Sequence, residues 1–214
     1  MIVSNAQPID VKFERRRFRK DAAQKGRFSN HTYDNDANID QRTRYIFNMV
    51  SRTLTGRGSV AERQKKTELR NLFRVVRGEI VYPLLNSPAE ISTSQDRFDQ
   101  WHKQRVETLK AKCPIRWDEG PELRLGIAQL IINLHCKSIW AWELVTDSCS
   151  RYFHATITKI TLRHLLDRKP SGWTRWDSYD RYMQLQQDIR RMARDRDTYP
   201  MALECRNWNK QNFD

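Results

Sequence analysis

The chain has little of what a membrane protein, a disulfide-stabilised secreted domain or a glycine-rich nucleotide-binding domain requires. Its 214 residues include only seven glycines and four cysteines, and its one long apolar segment is interrupted by polar and charged residues. Cys113, Cys136, Cys149 and Cys205 are too far apart to form the close pairs of a structural zinc site. The first ten residues contain no apolar run followed by a small-residue cleavage site. These absences predict a cytoplasmic protein with reduced thiols, no membrane partner and no metal or other cofactor.

Negative charge is also scarce. Aspartate and glutamate number 26 against 39 lysines and arginines, which leaves a formal net charge of +13. Arginines outnumber lysines, 27 to 12. Because arginine binds phosphate bidentately and stacks on bases, this bias favours a nucleic-acid partner, either DNA or RNA. The alternative is a basic protein whose arginines pair with its own 26 acids, or a basic subunit that docks on an acidic protein partner.

One segment, 122–145, is apolar enough to form the centre of the fold. Its apolar residues cover most of a helix circumference, which is typical of a helix buried on nearly all sides. Gln129, Asn133 and Lys137 recur every four residues, so they form one polar stripe. The stripe meets either water or polar neighbours, or it faces a pocket in which Lys137 binds a phosphate or acts as a desolvated amine.

Helical periodicity recurs along the rest of the chain. We expect further helices over 39–54, 60–82, 95–112, 152–166, 178–194 and 201–209. Between them, 83–94 is predicted to be a linker and 147–150 a loop. The fold class is therefore predicted to be all-α, with a single multi-helix domain around a buried central helix (31–214) and a basic N-terminal arm (1–30).

Positive charge is densest in the arm and in the helix predicted over 60–82. In the arm, the alternating apolar residues Ile9, Val11 and Phe13 indicate a short strand before the basic run. Between residues 42 and 77 there are ten cations and two acids, an imbalance typical of a surface that tracks phosphates. The residues predicted to contact phosphate are Arg15, Arg16, Arg17, Arg19, Arg63, Lys66, Arg70, Arg74 and Arg77.

A cluster of aromatic residues and arginines begins at Trp173, where ten residues contain four aromatics and two arginines. Trp173, Arg175 and Trp176 are predicted to form a stacking platform for unpaired bases. The alternative is a loop whose tryptophans fill the core while Asp177 and Asp180 pair with arginines.

Arg97 and His102 are separated by four residues. This spacing resembles the motif of the HEPN family, which are all-helical ribonucleases of toxins and phage defence. The resemblance implies that Arg97 and His102 act together on the scissile phosphate and that the fold dimerises to assemble the site. It covers six residues, and Phe98 stands where the family usually has a polar residue. A cleft in which the two side chains converge would support a ribonuclease.

Lys137 lies on the predicted central helix and Asp147 in the loop beyond it. A helical lysine followed by a loop aspartate is similar to the helix-hairpin-helix DNA glycosylases, in which such groups attack and stabilise the sugar. The resemblance implies that Lys137 and Asp147 are catalytic, although Gly120 and Gly126 fit that family's glycine hairpin poorly. The main prediction is a nucleic-acid-binding protein of a microbial or mobile-element defence or processing complex. A ribonuclease, a glycosylase and a docking subunit are its alternatives.

Overall fold

The computed structural model describes residues 8–26, 46, 71–113 and 123–213, and this part of the chain is all-α, as predicted. Its helices are α1 (Val11–Gly26), α2 (Tyr82–Asn86), α3 (Pro88–Ile91), α4 (Gln95–Lys112), α5 (Leu125–Ala141), α6 (Asp147–Ser150), α7 (Tyr179–Arg194) and α8 (Pro200–Phe213). Residues 71–76 are also helical and continue through a π-helix, Arg77–Val81, into α2. A second π-helix spans Thr161–Leu165, and a 3-10 turn spans Trp173–Arg175. Within these residues, no helix is long and apolar enough to cross a membrane.

The centre of the fold is α5, which corresponds to the segment predicted to be the central helix. Every residue of α5 except Leu134 is buried, and Trp140 is 0% exposed. The helix begins at Leu125, three residues later than the sequence pattern indicates. α1, α4 and the 3-10 turn all pack against it. The polar stripe of α5, formed by Gln129, Asn133 and Lys137, is therefore buried and contacts other parts of the protein.

The 3-10 turn approaches the start of α5 unusually closely. The amide of Gly126 donates a hydrogen bond to the carbonyl of Trp176 at 3.0 Å. A Cβ atom added at residue 126 would lie only 2.1 Å from the carbonyl oxygen of Trp173. The turn can occupy this position because residue 126 is glycine.

The helices α4 and α7 begin where their capping residues stand. Ser94 Oγ accepts a hydrogen bond from the amide of Arg97 at 3.2 Å, and Ser178 Oγ accepts one from Arg181 at 3.3 Å. These bonds satisfy amides that have no partner within the helix. The predicted bounds of both helices, 95–112 and 178–194, agree with the structure to within one residue.

The strand predicted near the start of the chain is wrong. Asp10 Oδ1 accepts a hydrogen bond from the amide of Phe13 at 3.0 Å, and α1 starts at Val11. α1 packs against α5 and α8, with Phe18 buried to 2% exposure. The N-terminal basic run is therefore helical and docked on the domain over this stretch, whereas the predicted boundary at residue 30 lies outside the described residues.

Three other connections differ from prediction. The predicted linker 83–94 contains α2 and α3, and the predicted loop 147–150 is the short helix α6. The predicted helix 152–166 is helical only from residue 159, and residues 153–158 have no regular secondary structure. The predicted helix 39–54 lies outside the described residues apart from Ile46, and the helix predicted over 60–82 is described only from residue 71.

Residues 153–158, here called the extended segment, are mostly buried, and the described part of the chain contains no strand that could pair with them. The Gln186 side chain accepts from the amide of Ala155 at 3.0 Å and donates to its carbonyl at 2.8 Å. The Gln129 side chain does the same at Ile157, at 3.1 and 2.8 Å. Because buried backbone groups need partners, these two glutamines take the place of an adjacent strand. Local periodicity could not reveal this, since both partners lie at least 28 residues away.

Candidate functional site

Polar side chains from three helices and the extended segment meet inside the protein in one hydrogen-bonded group, here called the polar network. α4 contributes two residues, α5 one, the extended segment one and α7 three. Most of them are almost completely buried. The members of the polar network are Asp99, His102, Asn133, His154, Tyr179, Tyr182 and Arg190.

Four successive hydrogen bonds of the polar network run from His102 to Asp99. Asn133 Oδ1 can only accept, so His102 donates to it from Nε2 at 3.1 Å. Asn133 Nδ2 donates to the hydroxyl of Tyr182 at 2.9 Å, and that hydroxyl donates to His154 Nδ1 at 2.8 Å. His154 Nε2 then donates to the carboxylate of Asp99 at 2.7 Å. The chain of donors therefore ends on Asp99.

The same arrangement sets the charges in the network. Burial, reinforced by the neighbouring His154, lowers the pKa of His102 well below its usual value. Burial lowers the pKa of His154 to about 4, against the opposing effect of its bond to Asp99. Although burial alone would raise the pKa of Asp99, bonds from His154 and Arg190 hold it far below its usual range. Both histidines are therefore neutral near pH 7, while Asp99 is ionised.

A cavity of about 710 Å³ adjoins the network and is here called the arginine pocket. It lies between the start of α4, the end of α6, the last turns of α7 and the connection from α7 to α8. Its walls include three arginines, two tyrosines and two aspartates, namely Arg151, Arg190, Arg194, Tyr152, Tyr199, Asp147 and Asp197.

The three arginines of the pocket differ in how they are held. Arg190 binds Asp99 with both ends of its guanidinium, at 3.0 and 2.6 Å, and its side chain is 13% exposed. Arg151 and Arg194 are exposed, and neither forms an ion pair in the described part of the chain. The pocket thus joins one fixed guanidinium to two that are available to an anion.

The opposite side of the pocket is aromatic and acidic. The hydroxyl of Tyr199 accepts a hydrogen bond from Trp140 Nε1 at 2.6 Å, and the two rings meet edge to face at 6.3 Å. Burial raises the pKa of Tyr199 to about 12, so its hydroxyl stays neutral. Asp147 pairs with Arg15, whereas Asp197 is exposed. The hydrogen bond and the ring contact with Trp140 therefore fix the position of the Tyr199 side chain.

A second cavity, of about 230 Å³, is also basic. Its walls include Arg196, Arg206 and Lys210. Arg196 belongs to the α7–α8 connection, as do several residues of the arginine pocket. Cations therefore lie at two cavities beside the same connection.

The arginines of α1 that were predicted to contact phosphate divide between two environments. Arg15 is 4% exposed and pairs with Glu143 and Asp147. Arg19, one helical turn later, reaches Glu143 at 3.8 Å, whereas Arg16 is exposed. Residues four apart share a helix face, so Arg15 and Arg19 both point towards these acids. Arg15 therefore anchors α1, and Arg16 faces solvent.

The other predicted phosphate contacts are scattered. Arg17 lies 5.9 Å from the ring of Phe13, and Arg74 is exposed. Arg77 donates from Nε to the hydroxyl of Tyr82 at 2.6 Å. The remaining predicted contacts, Arg63, Lys66 and Arg70, lie outside the described residues.

The predicted stacking platform lies against the core. Trp173 and Trp176 are half-buried and pack on the hydrophobic core, and the Arg181 guanidinium lies 4.3 Å from the Trp176 ring centre. Arg175 is exposed. Asp177 pairs with a lysine, Lys110, at 3.1 Å. These contacts match the alternative of a core-filling loop, except that the partner of Asp177 is not an arginine.

Arg97 and His102 do not converge in a cleft. Residues five apart on an α-helix lie roughly 140° from each other around its axis. Arg97 accordingly is exposed and donates to the carbonyl of Glu90 at 3.2 Å, whereas His102 is 0% exposed and bonded to Asn133. The resemblance to the HEPN motif therefore extends to the spacing but not to the geometry.

Lys137 and Asp147 also have separate environments. Lys137 is 1% exposed and pairs with the equally buried Glu204. Its ammonium lies 5.7 Å from the Phe18 ring and 5.8 Å from the Trp208 ring. Burial raises the pKa of Glu204, against the attraction of Lys137. Lys137 thus belongs to the core, while Asp147 pairs with the N-terminal helix at the surface.

Comparison with known proteins found no match to a family model, a curated protein or a solved structure. Sequence reasoning did not select Arg151, Arg190 or Arg194. A weak signal existed, because Arg190 and Arg194 are four residues apart on one helix face. The pairing of Arg190 with Asp99, 91 residues earlier, had no signal. In the described part of the chain, no cluster of three or more histidines, cysteines or acids could hold a metal ion.

Proposed function

We propose that this protein binds nucleic acid by contacting its phosphates with the arginines of the arginine pocket. One observation carries the proposal: the exposed Arg151 and Arg194 line the same cavity as the fixed Arg190. Guanidinium groups match phosphate oxygens in geometry and charge, and a guanidinium that is already held loses less entropy on binding.

Other cations add positive charge outside the pocket. The smaller basic cavity adds Arg196 and Lys210 beside the same connection. On α1, Lys12 and Arg16 are exposed. The net charge of +13 adds long-range attraction for a polyanion. These cations would strengthen the attraction of the whole strand.

The protein would act in the cytoplasm, as part of a microbial or mobile-element defence or processing complex. All four cysteines are unpaired, and three of them are buried. Burial raises the pKa of Cys113 to about 11, which keeps that thiol protonated and unreactive. Unpaired thiols of this kind fit a reducing compartment. The ligand can be DNA or RNA, since contacts to phosphate do not distinguish the two.

Salt-dependent binding tests the proposal. With roughly six phosphate contacts, the affinity for duplex or single-stranded nucleic acid should fall about a thousandfold between 50 and 200 mM salt. Arg151→Gln and Arg194→Gln should each lower the salt slope by about one. Arg163→Gln removes an exposed arginine that does not line the pocket, and it should leave the slope unchanged. Fluorescence anisotropy with labelled strands measures the affinities of the wild type and of the three variants at each salt concentration.

Two results would count against this function. A wild-type protein that binds no strand at low salt is not a nucleic-acid-binding protein. Equal salt slopes for the pocket variants and for Arg163→Gln would place the phosphate contacts elsewhere on the chain.

A further inference from the structure

We propose that the arginine pocket receives the phosphorylated end of a nucleic-acid strand and not an internal stretch of its backbone. This inference rests on the proposed function, because it specifies which part of the strand enters the same pocket. It follows from the two unpaired guanidinium groups of the pocket, from one unpaired carboxylate there and from the two aromatic side chains beside it.

The two unpaired guanidinium groups of the pocket suit a terminal phosphate. The charge of Arg190 is balanced by Asp99, and that of Asp147 by Arg15. Within the described residues, Arg151 and Arg194 remain, together with the unpaired carboxylate of Asp197, so the pocket has two available guanidinium groups and a net charge of +1. A terminal phosphate monoester offers three unesterified oxygens, whereas an internal diester offers two. Two guanidinium groups, each of which can bind two oxygens, therefore suit the monoester better.

Asp197 limits the pocket to one phosphate. It lies in the turn after α7 with a φ of 47°, it is exposed, and it has no ion-pair partner in the described residues. A strand that continued through the pocket would bring a second phosphate towards this carboxylate, which repels it. The end of a strand can instead offer Asp197 a sugar hydroxyl or a base amino group, both of which donate hydrogen bonds.

Tyr199 and Tyr152 provide surfaces for the terminal base. The Tyr199 ring is fixed by its hydrogen bond and edge contact with Trp140, and Tyr152 packs against the core from the end of α6. Unpaired bases stack on such rings with little regard to sequence. The pocket volume of about 710 Å³ is large enough for a whole nucleotide to enter.

Binding to strands that differ only at their ends tests the inference. Four single strands of one sequence are compared by anisotropy: one with a 5′-phosphate, one with a 3′-phosphate, one with hydroxyls at both ends, and one closed into a circle. One phosphorylated strand should bind at least about tenfold more tightly than the hydroxyl strand and the circle, as expected for one charge-assisted contact. The preferred end identifies the polarity of the strand in the pocket.

Matched variants locate the preference. Arg151→Gln or Arg194→Gln should remove the preference for the phosphorylated end, and Arg163→Gln should keep it. Asp197→Asn should strengthen binding of the circle more than binding of the phosphorylated end, because it removes the repulsion of a second phosphate. All four side chains are exposed, and unchanged thermal unfolding confirms that the variants are folded.

The outcomes separate this inference from the proposed function. Equal binding of all four strands, weakened by the pocket variants, overturns the end preference but leaves nucleic-acid binding in place. A nucleoside monophosphate that competes as well as the phosphorylated strand makes the ligand a free nucleotide and also overturns the inference. If no strand binds at low salt, the proposed function itself fails.

Discussion

The polar network and the arginine pocket are both polar, and Arg190 belongs to both, but they differ in how their groups are satisfied. In the network, His102 and Asn133 are 0% exposed, and each is hydrogen-bonded to other side chains. In the pocket, Arg151 and Arg194 are exposed and have no ion pair in the described part of the chain. Satisfied polar groups stabilise the folded state, whereas groups without partners are available to a ligand.

The polar network and the arginine pocket meet at Asp99 and Arg190, where the network positions a residue of the pocket. Asp99 receives a hydrogen bond from His154 on its buried side and holds Arg190 on the side of the pocket. The network therefore orients a guanidinium that a ligand can meet already in place. Variants in the network should consequently change stability, and variants in the pocket should change binding.

The largest change in stability is expected at the most completely buried ion pair, Lys137 with Glu204. Lys137→Met leaves Glu204 as an uncompensated charge at 1% exposure, so the free energy of unfolding should fall by about 3–5 kcal/mol. Replacing both residues, in Lys137→Met with Glu204→Leu, should recover part of this loss. Lys159→Met removes an exposed lysine and should have little effect. Urea unfolding measures the free energy of unfolding of the three variants. Equal stability of Lys137→Met and Lys159→Met would contradict the presence of a buried ion pair at Lys137.

A smaller effect is expected inside the network. Tyr182→Phe removes the hydroxyl that donates to His154 Nδ1, leaving a buried acceptor without its partner. The loss should be about 1–3 kcal/mol. Arg151→Gln, at the surface of the pocket, should change stability by less than about 0.5 kcal/mol. A pocket variant as unstable as Tyr182→Phe would remove the distinction between the two regions.

The last effect is absent at neutral pH and develops only in acid. His154 has a pKa of about 4 when folded and about 6.5 when unfolded, so between these values the unfolded chain binds a proton that the folded chain does not. Stability should therefore fall as the pH drops from about 6.5 to 4, by up to about 1.4 kcal/mol per pH unit for this residue. His154→Gln should flatten the decline.

His164 is the matched control for this measurement, because it is an exposed histidine outside the network. His164→Gln should leave the pH dependence of urea unfolding as it is in the wild type. Asp99, which bonds to His154, has a pKa held below its usual range, so its own contribution is lost only at still lower pH. Identical slopes for wild type and His154→Gln between pH 4 and 6.5 would show that His154 is not buried as a neutral group.

The elements that sequence reasoning located well are those specified by neighbouring residues. α4 and α7 begin beside Ser94 and Ser178, whose side chains cap them, so pattern and structure agree. The stripe of Gln129, Asn133 and Lys137 was also visible as a spacing of four. What the stripe contacts was not visible, because its partners come from distant parts of the chain.

The candidate site depends on such distant contacts. Arg151, Arg190 and Arg194 meet Asp197 only because α6, α7 and the connection to α8 pack together. Charge counting selected the arm instead, although Arg15 there pairs with acids of the same domain. Counts of charged residues do not show which cations are already neutralised. That information requires the tertiary structure.

The buried extended segment also bears on how the protein opens. The amides of Ala155 and Ile157 are bonded to Gln186 and Gln129, which lie on two helices on either side of the segment in sequence. Neither amide can exchange its hydrogen with solvent until the contact with its helix is broken. Both should therefore exchange only when the segment separates from α5 or α7. The segment thus links the opening of these two helices to its own exposure.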